Sequence, residues 1–166
     1  MGEKITTTLI VSDSGPLISF ARAKKLYLVR EVYGAVIIPP AVYNEIVVKG
    51  KDKPGAEEIK RSNWITIQEP KNKDEVKRLN LKFDPGESEA VALAQELTAT
   101  LLVDERIVIK EARSRGLKIT STHMTLERAK TKRLIKSVKI ELDALIAAGF
   151  RTTKELVTEL LQKMGE

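Results

Sequence analysis

Two short apolar runs, each ending in an aspartate, constrain this chain more than any other feature. Thr8-Leu9-Ile10-Val11 passes through Ser12 into Asp13, and Thr100-Leu101-Leu102-Val103 passes directly into Asp104. Runs of this length without polar alternation are the pattern of strands buried on both faces, as in a parallel sheet covered by helices. Ligands of such sheets bind outside the carboxyl ends of the strands. If the two strands run the same way, both carboxylates stand on one rim.

The rest of the chain alternates in the same manner. Helices are expected over 14–24, 26–33, 41–48, 56–61, 73–82, 85–97, 107–114, 126–134, 140–148 and from Thr152 or Thr153 to Lys163. Strands are expected over 35–38, 64–67 and 118–120. Asp84-Pro85-Gly86-Glu87 carries a helix start, with aspartate as cap, proline in the first position and glutamate in the third. Strand–helix alternation of this kind gives an α/β chain, a three-layer α/β/α sandwich with a central parallel sheet. At 166 residues, with no linker or repeat, the expectation is one domain over 1–166.

Composition removes several classes of function. The chain has no cysteine, which excludes disulfides, thiolate zinc sites and a cysteine nucleophile. No apolar run approaches the ~18 residues that span a bilayer, and the polar stretch Met1–Thr8 does not read as a signal peptide. A cytoplasmic protein with no membrane attachment is expected. Net charge is +6, and the stretch from Glu105 to Lys136 alone carries +7. A basic region of that kind suits a polyanion such as RNA, provided its charges share a face. Arg106, Lys110, Arg113, Arg128 and Lys130 are the candidate contacts.

The acidic residues carry the chemistry. Asp13 and Asp104 stand at strand ends, where each is also placed to cap the helix that follows. For Asp13, Ser14 offers an alternative cap. Glu45 flanks the buried stripe set by Val42 and Ile46. Glu87 and Glu89 compete, because two residues along a helix are separated by ~200° about its axis. Glu87 is the reciprocal partner of the Asp84 cap, so Glu89 is the preferred ligand and Glu87 a supporting neighbour. Gathered carboxylates repel one another and take up protons unless a cation intervenes. Oxygen donors alone select Mg²⁺ or Mn²⁺ over zinc. Such ions suit phosphodiester hydrolysis. Thr120, with Ser121 and Thr122, follows the last strand and is a candidate supporting hydroxyl near the same rim. His123 reads as a surface residue at a helix start. The aromatic residues are too dispersed to form a base-stacking platform.

Four segments together resemble the PIN-domain family: Val11-Ser12-Asp13-Ser14-Gly15-Pro16-Leu17-Ile18, Ile38-Pro39-Pro40-Ala41-Val42-Tyr43-Asn44-Glu45, Gly86-Glu87-Ser88-Glu89-Ala90-Val91-Ala92-Leu93-Ala94 and Leu101-Leu102-Val103-Asp104-Glu105-Arg106. The likeness covers most of the chain and is nearest to a branch of small prokaryotic PIN-like proteins. It implies a compact α/β/α sandwich and a ribonuclease site dependent on Mg²⁺ or Mn²⁺. The family's four acids fall on Asp13, Glu45, Glu89 and Asp104, and a hydroxyl beside the first acid falls on Ser14. Glutamate in the third position departs from the commonest pattern, which leaves both Glu87 and Glu89 open. Many relatives are toxins of toxin–antitoxin pairs, and many dimerise, so RNA, an antitoxin and a second copy are the implied partners. The alternative on the same fold is a non-catalytic RNA-binding protein. Phosphotransfer domains with an aspartate after the first strand fit less well. One type wants a second aspartate where Gly15 stands, and the other wants acids where Ile10, Val11 and Ser12 stand.

Overall fold

The computed structural model describes residues 8–166, so the polar N-terminal stretch lies, except for Thr8, outside the described residues. Five short strands form one parallel sheet: β1 (Ile10–Ser12), β2 (Val36–Ile38), β3 (Ile65–Ile67), β4 (Thr100–Leu102) and β5 (Ile119–Thr120). Their order across the sheet is β3-β2-β1-β4-β5, and every neighbouring pair is parallel. The direction of winding reverses between β1 and β4. A reversal of this kind opens a crevice at the carboxyl ends of the two central strands.

The central strands are buried on both faces, and their side chains alternate between two cores. Ile10 and Leu102 enter one core with Leu17, Phe20, Val29, Ile38 and Leu126. Val11, Leu101 and Val103 enter the other with Leu93, Val108 and Ala112. Each fully buried leucine or phenylalanine contributes about 2 kcal/mol through removal of apolar surface from water. The first core lies under α1 (Ser14–Arg22), α2 (Leu26–Tyr33), α3 (Pro40–Tyr43) and α4 (Ala56–Arg61), together with the later helices α8 (Thr122–Thr131), α9 (Val138–Ala147) and α10 (Lys154–Lys163). The second lies under α5 (Lys73–Leu79), α6 (Pro85–Leu97) and α7 (Arg106–Ser114). This is the expected three-layer α/β/α arrangement.

Three helices depart from their expected form, each for a local reason. The helix expected at 41–48 is α-helical only over α3 and continues as a π-helix, Asn44–Val48. Gly50 follows closely: a Cβ there would lie 2.3 Å from the Ile46 carbonyl oxygen. The helix expected at 126–134 begins a turn earlier, at Thr122, because Ser121 caps it by accepting from the Met124 amide at 3.2 Å. Likewise Ser137 accepts from the Ile140 amide and starts α9 at Val138.

The two-core arrangement also divides the basic region. α7 covers the second core and α8 the first, so Arg106, Lys110 and Arg113 lie on the opposite side of the sheet from Arg128 and Lys130. The sequence run of positive charge is therefore not one surface. Lys130 pairs with Glu166 at 2.7 Å and donates to the Met164 carbonyl at 2.9 Å. The Arg128 guanidinium lies 5.7 Å from the centre of the Tyr33 ring.

Replacing Gly50 by alanine forces a methyl group into the Ile46 carbonyl, a backbone atom that cannot turn aside. G50A is expected to lower stability by about 1–3 kcal/mol in urea denaturation, as overpacking does. A loss below ~0.5 kcal/mol would show that the turn after the π-helix relaxes freely.

Candidate active site

At the carboxyl end of β1, acidic side chains from the end of β1, the π-helix and the start of α6 act on one another. Asp13 leaves β1 with its amide still donating to the Leu102 carbonyl of β4 at 3.0 Å. It occupies the cap position of α1 with extended backbone, φ −75° and ψ 169°, yet its side chain makes no capping bond. Only 7% of its surface is exposed, and its Oδ1 is buried without a hydrogen-bond partner among the described residues. A buried carboxylate oxygen without a donor is costly unless something else satisfies it.

Ser14 does not cap α1 either. Its hydroxyl donates to the Oε2 of Glu45, tying the π-helix to the start of α1. The other Glu45 oxygen faces Gly86. A Cβ on Gly86 would stand 3.3 Å from Glu45 Oε1 and 3.5 Å from Asp84 Oδ1. The missing side chain thus lets Glu45 approach the N-terminus of α6.

That N-terminus is the capping box read from the sequence. The Asp84 carboxylate accepts from the Glu87 amide at 2.8 Å, and the Glu87 carboxylate accepts from the Asp84 amide at 3.0 Å. The charges that act on Asp13 are Glu87, Asp84 and Glu45, all raising its pKa. Burial is the larger cause, the Ser14 amide opposes it, and the carboxyl is pushed up to about 7. Glu87 is also held above the ordinary carboxylate range, by burial first and then by Asp84 and Glu105, against the Asp84 amide.

Two expected ligands have neighbours other than Asp13. Glu89 lies beyond the capping box, turned around the helix from Glu87 as the helical pitch requires. Its neighbours are the Ala41 amide and the charges of Lys73 and Glu69. Burial raises its pKa, and Ala41 and Lys73 oppose the rise. Its place is at the start of α3 rather than beside Asp13. Asp104 stands on the correct rim, but its two oxygens accept from the Thr122 amide at 2.8 Å and the Thr122 hydroxyl at 2.6 Å. It supports the start of α8, not the α7 cap expected of a strand-end aspartate. Its pKa is raised by burial, with the Thr122 bonds opposing.

Thr120 is also placed differently from expectation. It is buried and shares the Tyr33 hydroxyl at 2.7 Å with Thr125, rather than supporting a carboxylate. His123 is half-buried, with its ring edge-on to Phe150 and Nε2 3.0 Å from the Thr152 hydroxyl; burial lowers its pKa. Sequence reasoning missed Asp84, which reads there as a cap and nothing more. The available signal was the position of the capping box, at the helix that leads into a central strand.

Among the described residues, no three acidic or histidine side chains stand in a ready-made metal-holding group. The donors nevertheless fit a hard divalent cation in kind. They are all carboxylate or hydroxyl oxygens, Asp13 Oδ1 is buried without a partner, and the charges that act on Asp13 are all acidic.

The sheet order and the switch point define a doubly wound α/β protein. Residues 9–166 match the DUF3368 family of PIN domains, and the chain belongs to that family. Among solved structures, it is similar to a PilT N-terminus domain protein from the hyperthermophilic archaeon Sulfolobus solfataricus P2. The two are 15% identical, with a TM-score of 0.44, over 87% of this chain and 98% of that one. No curated protein shows significant sequence similarity to the chain. No helix among the described residues is long and apolar enough to cross a membrane.

The state of Asp13 gives a pH prediction. Its folded-state pKa of about 7 lies above the ordinary 3.8, so between these values the folded chain holds a proton that the unfolded chain releases. Stability from this group is present at pH 4 and lost as pH rises through 7. In chelator, Asp13→Asn is therefore expected to stabilise the fold at pH 8 by roughly 1–3 kcal/mol, with the gain vanishing near pH 4. Thermal melts across this range check it. A gain equal at both pH values would refute the titration.

Proposed function

We propose that the chain is a ribonuclease dependent on Mg²⁺ or Mn²⁺, hydrolysing RNA phosphodiester bonds at the β1–β4 crevice. The observation that carries the reading is the buried, unpartnered Asp13 Oδ1 at the switch point of a PIN fold, on a carboxylate whose proton is favoured by the charges of Glu87, Asp84 and Glu45. Asp13 and Glu87 are the assigned metal donors, with Glu45 and Asp84 completing the oxygen set. A bound divalent cation supplies a polarised phosphoryl oxygen and a water of lowered pKa.

The chain's own residues do the positioning. The Ser14 hydroxyl fixes the Glu45 carboxylate, and the Asp84–Glu87 box fixes two further acids at a helix start. Gly86 leaves the approach between them open. Because the acids come from β1, the π-helix and α6, their separation depends on packing between elements rather than on one loop. Asp104 holds α8 through Thr122 and so shapes the far wall of the crevice. On α7, Arg106, Lys110 and Arg113 are exposed around Ile107 and border a shallow depression of about 480 Å³. They remain candidates for backbone phosphates. The readings as a toxin with an antitoxin partner, as a homodimer and as a cytoplasmic protein rest on family resemblance and composition alone.

The test is cleavage of single-stranded RNA with Mn²⁺. Asp13→Asn and Glu87→Gln are expected to lower kcat by about 100-fold or more, while Glu89→Gln keeps most activity. Equal activity in wild type and Asp13→Asn would remove the assignment. RNA binding that survives chelation, with no cleavage under any metal, would support the non-catalytic alternative.

A further inference from the structure

A groove leads away from the acidic rim along the flank of α1. It is lined by Ile18 and Arg22 of α1, by Glu45, Ile46 and Lys49 of the π-helix and its end, and by Gly50, Lys53 and Pro54, and it encloses about 300 Å³. Glu45 belongs both to this groove and to the carboxylate group, so the two adjoin at that residue. From Ser14 to Arg22 the helix rises about 12 Å, which sets the length of the groove below the rim.

Its charge reverses along that length. Glu45 stands at the upper end, and Arg22, Lys49 and Lys53 follow it. All three cations are exposed, and none is in an ion pair with a carboxylate among the described residues. Between them lie Ile18, Ile46 and Pro54, an apolar floor.

The groove is built by the chain's backbone rather than left by chance side-chain rotation. The π-helix ends at Val48, and Gly50 allows the chain to fold back against the Ile46 carbonyl. Asp52, at φ 68°, turns the chain again. Gly55, at φ 96°, then seats the loop on α1: a Cβ there would lie 3.0 Å from Ala21 Cβ. Two close approaches therefore hold the backbone that carries Lys49 and Lys53 against the π-helix and α1.

We infer that this groove is the track for the RNA strand next to the attacked phosphodiester, with Arg22, Lys49 and Lys53 holding its backbone phosphates and the apolar floor lying against its sugars. The inference rests on the proposed nuclease site, which it extends in one direction. A strand seated there gives the site an entrance side that the α7 surface does not supply.

The experiment measures binding of a short single-stranded RNA to the full chain by fluorescence anisotropy in chelator, so that no cleavage intervenes. Arg22→Ala/Lys49→Ala/Lys53→Ala is compared with Lys77→Ala/Lys82→Ala/Lys154→Ala, which removes the same charge from exposed positions elsewhere. The groove variant is expected to raise Kd at least about tenfold and to reduce the slope of log K against log salt by about 2, as for three lost phosphate contacts on a single strand. The control variant is expected to change Kd by less than about threefold. Equal weakening in both variants, no weakening in the groove variant, or no RNA binding by the wild type would overturn the inference. So would an oligoglutamate peptide binding the groove more tightly than RNA. Parallel cleavage assays on Asp13→Asn separate the two claims. Unchanged binding in the groove variant with cleavage lost in Asp13→Asn removes the groove and keeps the nuclease. Lost binding in the groove variant, with no cleavage by the wild type, keeps the groove and removes the nuclease.

Discussion

The carboxylate of Asp13 is buried at the centre of the sheet's carboxyl rim with no donor on one oxygen, and the neighbouring elements are arranged around that fact. β1 carries it to the rim, and the bond from its amide to the Leu102 carbonyl holds it beside β4. The π-helix and α6 then bring further acids toward it instead of a lysine or arginine. A fold that needed only stability would do better with an apolar residue or an ion pair at this position. Concentrated negative charge without internal compensation is the physical basis of the proposal of a cation and, through it, of a phosphodiester substrate.

Much of this is legible from the residues. The runs ending in Asp13 and Asp104 mark two parallel strands, because an unbroken apolar run suits a strand covered by helices on both faces. The Asp84–Glu87 capping box fixes the start of α6 because four specific residues must cooperate to make it. Glu45 stands, as its spacing from Val42 and Ile46 indicates, at the edge of a buried stripe.

Side-chain direction is not legible where one residue has two competing roles. Glu87 reads as a capping residue, yet while its carboxylate serves the cap its charge still acts on Asp13. Glu89 reads as free of structural duty, and the structure sets it near the Ala41 amide and Lys73. Asp104 reaches the expected rim, but Thr122, eighteen residues away in sequence, takes both of its oxygens. The π-helix is invisible in the sequence because the apolar spacing of Val42 and Ile46 suits an ordinary helix. The split of the basic region depends on which sheet face each helix covers, a tertiary property that a run of charges does not encode.

The most direct measurement of the central claim is calorimetric titration of Mg²⁺ into the wild type, Asp13→Asn, Glu87→Gln and Glu89→Gln. The account predicts saturable binding to the wild type and to Glu89→Gln, with binding lost in Asp13→Asn and Glu87→Gln. Binding that persists unchanged without the Asp13 carboxylate, or that disappears only with Glu89, would contradict it.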